Sequence, residues 1–187
     1  LAVVKIGDNV TEIGAEAFDD SAKISSIVIP DSVKKIGEYA FEDCYNLKSV
    51  KIGKGLEFIG DKAFRYNETD EYIIDDSNQY FKTIDGHIYS KDGQKLVRYA
   101  IGNTETEYTV PDGVTTIGFS AFESAINLKT VRIPASVTNI DGDAFWLVDS
   151  YLKTHYLDGI FYDGSRSQWD KIDVSENTGG IIMDDLL

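Results

Sequence analysis

Sulfur and imidazole are scarce in this 187-residue chain, which has one cysteine, Cys44, one methionine, and two histidines, His87 and His155. A lone thiol forms no internal disulfide, and it cannot supply a cysteine-based zinc site, which takes several thiolates. With so few candidate nucleophiles and bases, a positioned nucleophile–base pair is not expected either. No apolar run approaches the ~18 residues of a membrane-spanning helix. Positive charge is also short: 18 Lys and Arg stand against 32 Asp and Glu, a net charge of −14. Such a chain repels phosphate backbones and anionic lipid, so neither nucleic-acid binding nor direct membrane insertion is expected. Apolar residues, by contrast, make up 42% of the chain and charged residues 27%, the proportions of an ordinary folded domain.

A period of 23 residues runs through the chain. The dipeptide Ala-Phe recurs at Ala17-Phe18, Ala40-Phe41, Ala63-Phe64, Ala121-Phe122 and Ala144-Phe145, with spacings of 23, 23, 58 and 23. The long gap is one period plus 35 residues, so five copies with one insertion are expected. A fixed period of this size is the signature of a solenoid, whose units bury their apolar faces only by stacking. The first position of the unit holds Leu1, Ile24, Leu47, Glu105 and Leu128, with Glu105 the misfit. The fourth holds Val4, Ile27, Val50, Tyr108 and Val131, and the sixth Ile6, Ile29, Ile52, Val110 and Ile133. Positions four and six share one face of a strand. The seventh position is Gly7, Pro30, Gly53, Pro111 and Pro134, which accounts for every proline in the chain and ends each strand.

An isoleucine follows in each copy, then Gly14, Gly37, Gly60, Gly118 or Asp141. These five positions are expected to share a left-handed backbone at a sharp turn. The Ala-Phe pair is expected in a short helical turn, with the five phenylalanines in one buried column.

These residues carry a resemblance. The unit L-x-x-V-x-I-P-x-x-V-x-x-I-G-x-x-A-F-x-x-C-x-x, matched almost throughout by Ile24 to Asn46, resembles the BspA-like class of leucine-rich repeat. The expected fold is a leucine-rich-repeat solenoid: a parallel sheet on the concave face, short helical turns opposite, and one β-hairpin insertion. Residues 1–174 would form it, with repeats 1–23, 24–46, 47–69, 105–127 and 128–150. The insertion is 70–104, and its Lys91-Asp92-Gly93-Gln94 reads as a hairpin turn. Residues 151–174 would cap the stack through Trp169, leaving 175–187 as a tail. Leu1 sits at position one of a repeat, with no basic region or cleavage site before it. A fragment or cleaved product with upstream repeats in its parent is therefore expected.

Single residues offer little chemistry. His87 lies among residues that read as surface, and Cys44 shares its slot with Ser21, Asn67, Ala125 and Val148, a packing position. The acidic pairs Asp19-Asp20, Asp75-Asp76 and Asp184-Asp185 lack calcium-loop spacing and read as solvated surface. No catalytic, cofactor or metal site is expected.

One distribution does stand out. The outward strand positions are Ala2, Val3, Lys5; Ser25, Ser26, Val28; Lys48, Ser49, Lys51; Thr106, Glu107, Thr109; and Lys129, Thr130, Arg132. Five of the fifteen are basic and one is acidic, the reverse of the whole chain. Lys, Arg and Thr simply suit an open sheet face; alternatively, Lys5, Lys48, Lys51, Lys129 and Arg132 form a cationic stripe for an acidic partner. The resemblance implies a bacterial surface or secreted protein that binds host or matrix proteins and works without a cofactor. The other reading is a spacer or stalk in a larger surface protein, with a hydrolase a distant third.

Overall fold

The computed structural model describes residues 2–147 and 155–175, with the backbone alone for Ala2 and Val3. The chain forms two compact units, residues 1–92 with 100–103, and residues 93–99 with 104–187.

The first unit contains β1 (Ala2–Lys5), β2 (Glu12–Ile13), β3 (Ile24–Ile29), β4 (Lys35–Ile36), β5 (Ser49–Ile52), β6 (Phe58–Ile59), β7 (Glu71–Ile74), β8 (Phe81–Ile84) and β9 (His87–Ser90). Strands β1-β3-β5-β7 form one parallel sheet and β2-β4-β6 a second. The register of the first sheet sets Ile27 beside Val50 and Tyr72, and Ile29 beside Ile52 and Ile74. All six are buried, as the alternation of strand side chains requires. The second sheet has only two residues per strand, too short to show an alternation in sequence. It forms where the isoleucine slot repeats, with Ile13 beside Ile36 and Ile36 beside Ile59.

The segments carrying Ala-Phe are not helical. An α-helix would send each N–H to a carbonyl four residues back in the same coil. Here alternate amides cross to the next coil instead: Glu16 to Glu38 O, Phe18 to Ala40 O, and Asp20 to Glu42 O, at 2.8–3.0 Å. The intervening amides close three-residue turns, Asp19 onto Glu16 O and Ser21 onto Phe18 O. This alternation requires left-handed residues, and they are not the glycines. Glu16, Tyr39 and Lys62 have φ of 56°, 55° and 53°, and Asp20, Asp43 and Tyr66 have φ of 52°, 54° and 53°. The expectation that Gly14, Gly37, Gly60, Gly118 and Asp141 share a positive φ is therefore overturned, since none of them has one. Glycine serves close approach instead. A Cβ on Gly37 would lie 2.4 Å from the Ala15 amide nitrogen, and one on Gly60 would lie 2.5 Å from that of Glu38.

Phe18 stacks on Phe41 at 5.1 Å between ring centroids, and Phe41 on Phe64 at 5.4 Å. Phe41 and Phe64 are buried, whereas Phe18, in the first coil, is half-buried because only one side of its ring has a neighbour in the column.

Residues 70–104 do more than insert. They supply β7 to the first sheet, as the start of a repeat does, and then the antiparallel pair β8–β9. Asp85 and Gly86, both at positive φ (50° and 80°), close that pair. Asn78 ties it down: its Nδ2 donates to Gly53 O and Leu56 O, and its Oδ1 accepts from the amides of Tyr80 and Phe81. His87, expected at the surface, is 1% exposed, and its Nδ1 accepts the Ala100 amide at 3.0 Å.

The second unit contains β10 (Lys95–Arg98), β11 (Glu107–Thr109), β12 (Thr116–Ile117), β13 (Thr130–Ile133), β14 (Asn139–Ile140), β15 (Gly159–Tyr162), helix α1 (Arg166–Trp169) and β16 (Asp173–Val174). Strands β11-β13-β15 pair in parallel, as do β10, β12, β14 and β16. Leu96 pairs with Ile117, and the Tyr99 amide bonds Ala121 O as the Phe122 amide bonds Ala144 O. Tyr99 packs on Phe122 at 5.3 Å, and Phe122 stacks on Phe145 at 5.0 Å. Tyr99 thus holds a sixth aromatic place, in a coil that lacks the Ala-Phe dipeptide. Ser120 and Asp143 take the left-handed slot, at φ 52° and 54°. At the end, Ser165 and Gln168 form a capping box on α1, and Trp169 is buried against Tyr162 at 5.3 Å. Leu1, Val148 and the tail from 176 lie outside the described residues.

Candidate functional site

The open side of the parallel strands is where repeat sequences differ while the core stays fixed. In β3 the burial pattern places Ile27 and Ile29 inward and Ser26 and Val28 outward, and β5 and β13 repeat it with Lys51 and Arg132 outward. In the first unit the register sets Lys5 beside Val28, Val28 beside Lys51, and Lys51 beside Ile73. One lateral row thus alternates cation and hydrocarbon. Val28 is 58% exposed and Ile73 40%, so the row offers hydrocarbon as well as charge to solvent. Alongside runs Ser26, Ser49 and Glu71.

The five cations expected to act together do not stand alike. Lys48 Nζ pairs with Glu68 at 2.9 Å and reaches Asp70 at 3.8 Å. Arg132 engages Asp163 with both Nε, at 3.1 Å, and Nη2. Their charge is compensated locally. Lys5, Lys51 and Lys129 are exposed and have no ion pair among the described residues. Lys5, Lys48 and Lys51 belong to the first unit, and Lys129 and Arg132 to the second. In the second unit the matching row is Thr109, Arg132 and Phe161.

Sequence reasoning missed Glu68, Asp70 and Asp163 because they lie outside the outward slots it counted. The β-favouring run Tyr72-Ile73-Ile74 predicts a strand over 71–75, but Ile73 stands outside the outward set because that set covers only the five repeats. Setting Ile73 in register with Lys51 would have found it.

The buried titratable groups are tuned toward inertness. Burial pushes the Cys44 thiol up to about 11, and its Sγ donates to Phe18 O at 3.1 Å. That holds it as a neutral thiol and not a nucleophilic thiolate. Asn67, one coil on, makes the same reach to Phe41 O at 3.5 Å. Burial lowers His87 to about 4, so its imidazole is neutral at physiological pH. Burial raises the Glu42 carboxyl, and the Arg65 guanidinium at 3.2 Å opposes that rise. Among the described residues no three His, Cys, Asp or Glu side chains gather as a metal site, and no helix is long and apolar enough to cross a membrane.

The model of the BspA type leucine-rich repeat region matches residues 1–92 and 95–159 in six copies. The chain belongs to this family, and its fold is a leucine-rich-repeat solenoid with parallel sheets and almost no helix. Six copies, not five, agree with the sixth aromatic place at Tyr99. No curated protein matches the chain. Among solved structures it is similar to the pneumococcal vaccine antigen PcpA, at 21% identity and a TM-score of 0.61, over 81% of this chain and 42% of that one. It is also similar to a leucine-rich repeat protein from Eubacterium ventriosum, at 20% identity and a TM-score of 0.50, over 81% of this chain and 51% of that one. The chain therefore spans about half or less of these proteins' lengths.

Proposed function

We propose that this chain is a non-enzymatic protein-binding module of a bacterial surface or secreted protein, and that the open sheet face is its contact surface. The observation that carries this reading is the pair of uncompensated cations, Lys5 and Lys51, set beside exposed Val28 and Ile73 in one row. Val28, 58% exposed, sets hydrocarbon directly between the two cations, so the row can meet a partner through both charge and apolar contact. In the second unit Lys129 is likewise exposed and has no ion pair among the described residues. The partner is an acidic protein, in keeping with a host or matrix ligand, and rim charges of this kind act chiefly on the association rate.

The spacer reading draws its support from Lys48 and Arg132, whose charges are already met by Glu68, Asp70 and Asp163. The experiment that separates the two is capture of extracellular host proteins on immobilised chain, repeated with Lys51→Glu and Lys129→Glu. Retention that falls with salt and with either reversal supports binding through this face. Capture indifferent to both leaves the spacer.

A further inference from the structure

The lateral row has a period that specifies its ligand. Lys5 and Lys51 are two strands apart, with Val28 between them and Ile73 one strand further on. Adjacent strands are about 4.8 Å apart, so the two ammonium stems are rooted about 9.6 Å from each other. A polyproline II helix repeats every three residues with a rise of about 3.1 Å, and its side chains at i and i+3 lie about 9.3 Å apart on one side. An extended β-chain places its same-side residues about 6.6 Å apart and misses this spacing.

We propose that the row Lys5–Val28–Lys51–Ile73 binds an acidic polyproline II segment with a carboxylate at every third position and proline or other apolar residues between. The proposal rests on the open sheet face being a binding surface. The segment lies across the strands, one carboxylate on Lys5 and the next on Lys51. The two apolar residues after each carboxylate, turned about 120° to either side of the carboxylate edge, flank Val28 and Ile73. A segment of this kind is already extended and stiff, so it loses little conformational entropy on docking. Ser26 and Ser49, two residues before Val28 and Lys51 on the same face, offer hydroxyls to the backbone carbonyls, which carry no internal hydrogen bonds in this conformation. The chemistry is set by the lateral sequence of one row, and the second unit's Thr109–Arg132–Phe161 row does not reproduce it.

The test uses the whole chain and three labelled probes measured by fluorescence anisotropy at low and at physiological salt. They are a Glu-Pro-Pro repeat peptide, a peptide of identical composition with its glutamates adjacent, and unstructured poly-glutamate. The repeat peptide should bind at least about threefold more tightly than the adjacent-glutamate peptide, since only the repeat can engage both lysines at once. Lys5→Gln and Lys51→Gln should each weaken the repeat peptide about threefold, and Val28→Ser should weaken it without changing the salt dependence. Lys34→Gln, outside the open face and paired with Glu57 at 2.9 Å, should leave it unchanged. Equal affinity for the two peptides overturns the spacing argument, and if poly-glutamate then binds through Lys5 and Lys51, the binding face itself stands. Failure of all three probes overturns both.

Discussion

Adding one methyl group at Gly37 tests what the repeated glycine is for. A Cβ there lies 2.4 Å from the Ala15 nitrogen, 2.7 Å from the Gly14 carbonyl carbon and 2.8 Å from the Ala15 Cα. All three are backbone atoms of the preceding coil, so no side-chain rotation relieves the contact. Reaching ordinary van der Waals distance requires the two coils to part locally by about 1 Å. That strains the Gly37 amide bond to Ile13 O at 2.8 Å, the Lys34 amide bond to Thr11 O at 2.8 Å, and the Glu16 amide bond to Glu38 O at 3.0 Å. Overpacking a close contact costs about 1–3 kcal/mol, and weakening one or two of these bonds adds about 1 kcal/mol each. Gly37→Ala should therefore destabilise the chain by about 3 kcal/mol, or about 6–12 °C in midpoint for a chain of this length. Gly14 is the internal control, because it fills the same slot one coil earlier and a Cβ there meets nothing within 4 Å. Gly14→Ala should be neutral, or stabilising by about 0.4–1 kcal/mol through a less flexible unfolded chain. Urea unfolding of both variants, followed by far-UV circular dichroism, supplies the comparison. Equal losses at the two positions would refute the close-approach argument and return the glycine to a backbone role.

Phe41→Ala removes the middle ring of the Phe18–Phe41–Phe64 stack and should cost about 3–5 kcal/mol in the same assay, with Phe18→Ala costing less because that ring is half-buried. Asn78→Ala strips the partners from two carbonyls and two amides where the chain leading into β8 meets the coil of Gly53 and Leu56, and should cost about 3 kcal/mol; hydrogen exchange should show that loss concentrated at Tyr80 and Phe81. His87 is held neutral by burial, with its pKa lowered from 6.5 to about 4, so the unfolded chain binds its proton first. Its contribution is fully present above pH 6.5 and is lost as pH falls toward 4, an amount of about 3 kcal/mol. His87→Asn, whose side-chain carbonyl can accept the Ala100 amide, should flatten that part of the stability–pH curve relative to the parent, and an unchanged slope would exclude His87 as its source.

The period, the longer strands of the repeat and their inward residues are legible along the chain, because local alternation and repetition set them; the two-residue strands of the second sheet are not. Ile27, Val50 and Val131 could be placed inward from spacing alone. So could the end of each strand at Pro30, Pro111 and Pro134, and the burial of Trp169 in the cap. What the tertiary structure decided is everything that depends on distance between coils. Glycine in the Ile-Gly slot looks the same in sequence whether it serves a positive φ or a missing Cβ, and only the 2.4 Å approach of Ala15 distinguishes them. The left-handed residues Glu16, Tyr39 and Lys62 share no side-chain chemistry, because the cross-coil amide bonds impose their backbone whatever the side chain. The candidate site divided in the same way. The outward lysines followed from alternation. Glu68, Asp70 and Asp163, which neutralise two of the five cations, lie 20–31 residues from their partners in sequence and become neighbours only through stacking. Charge compensation is a property of space, and a strand pattern read along the chain cannot supply it.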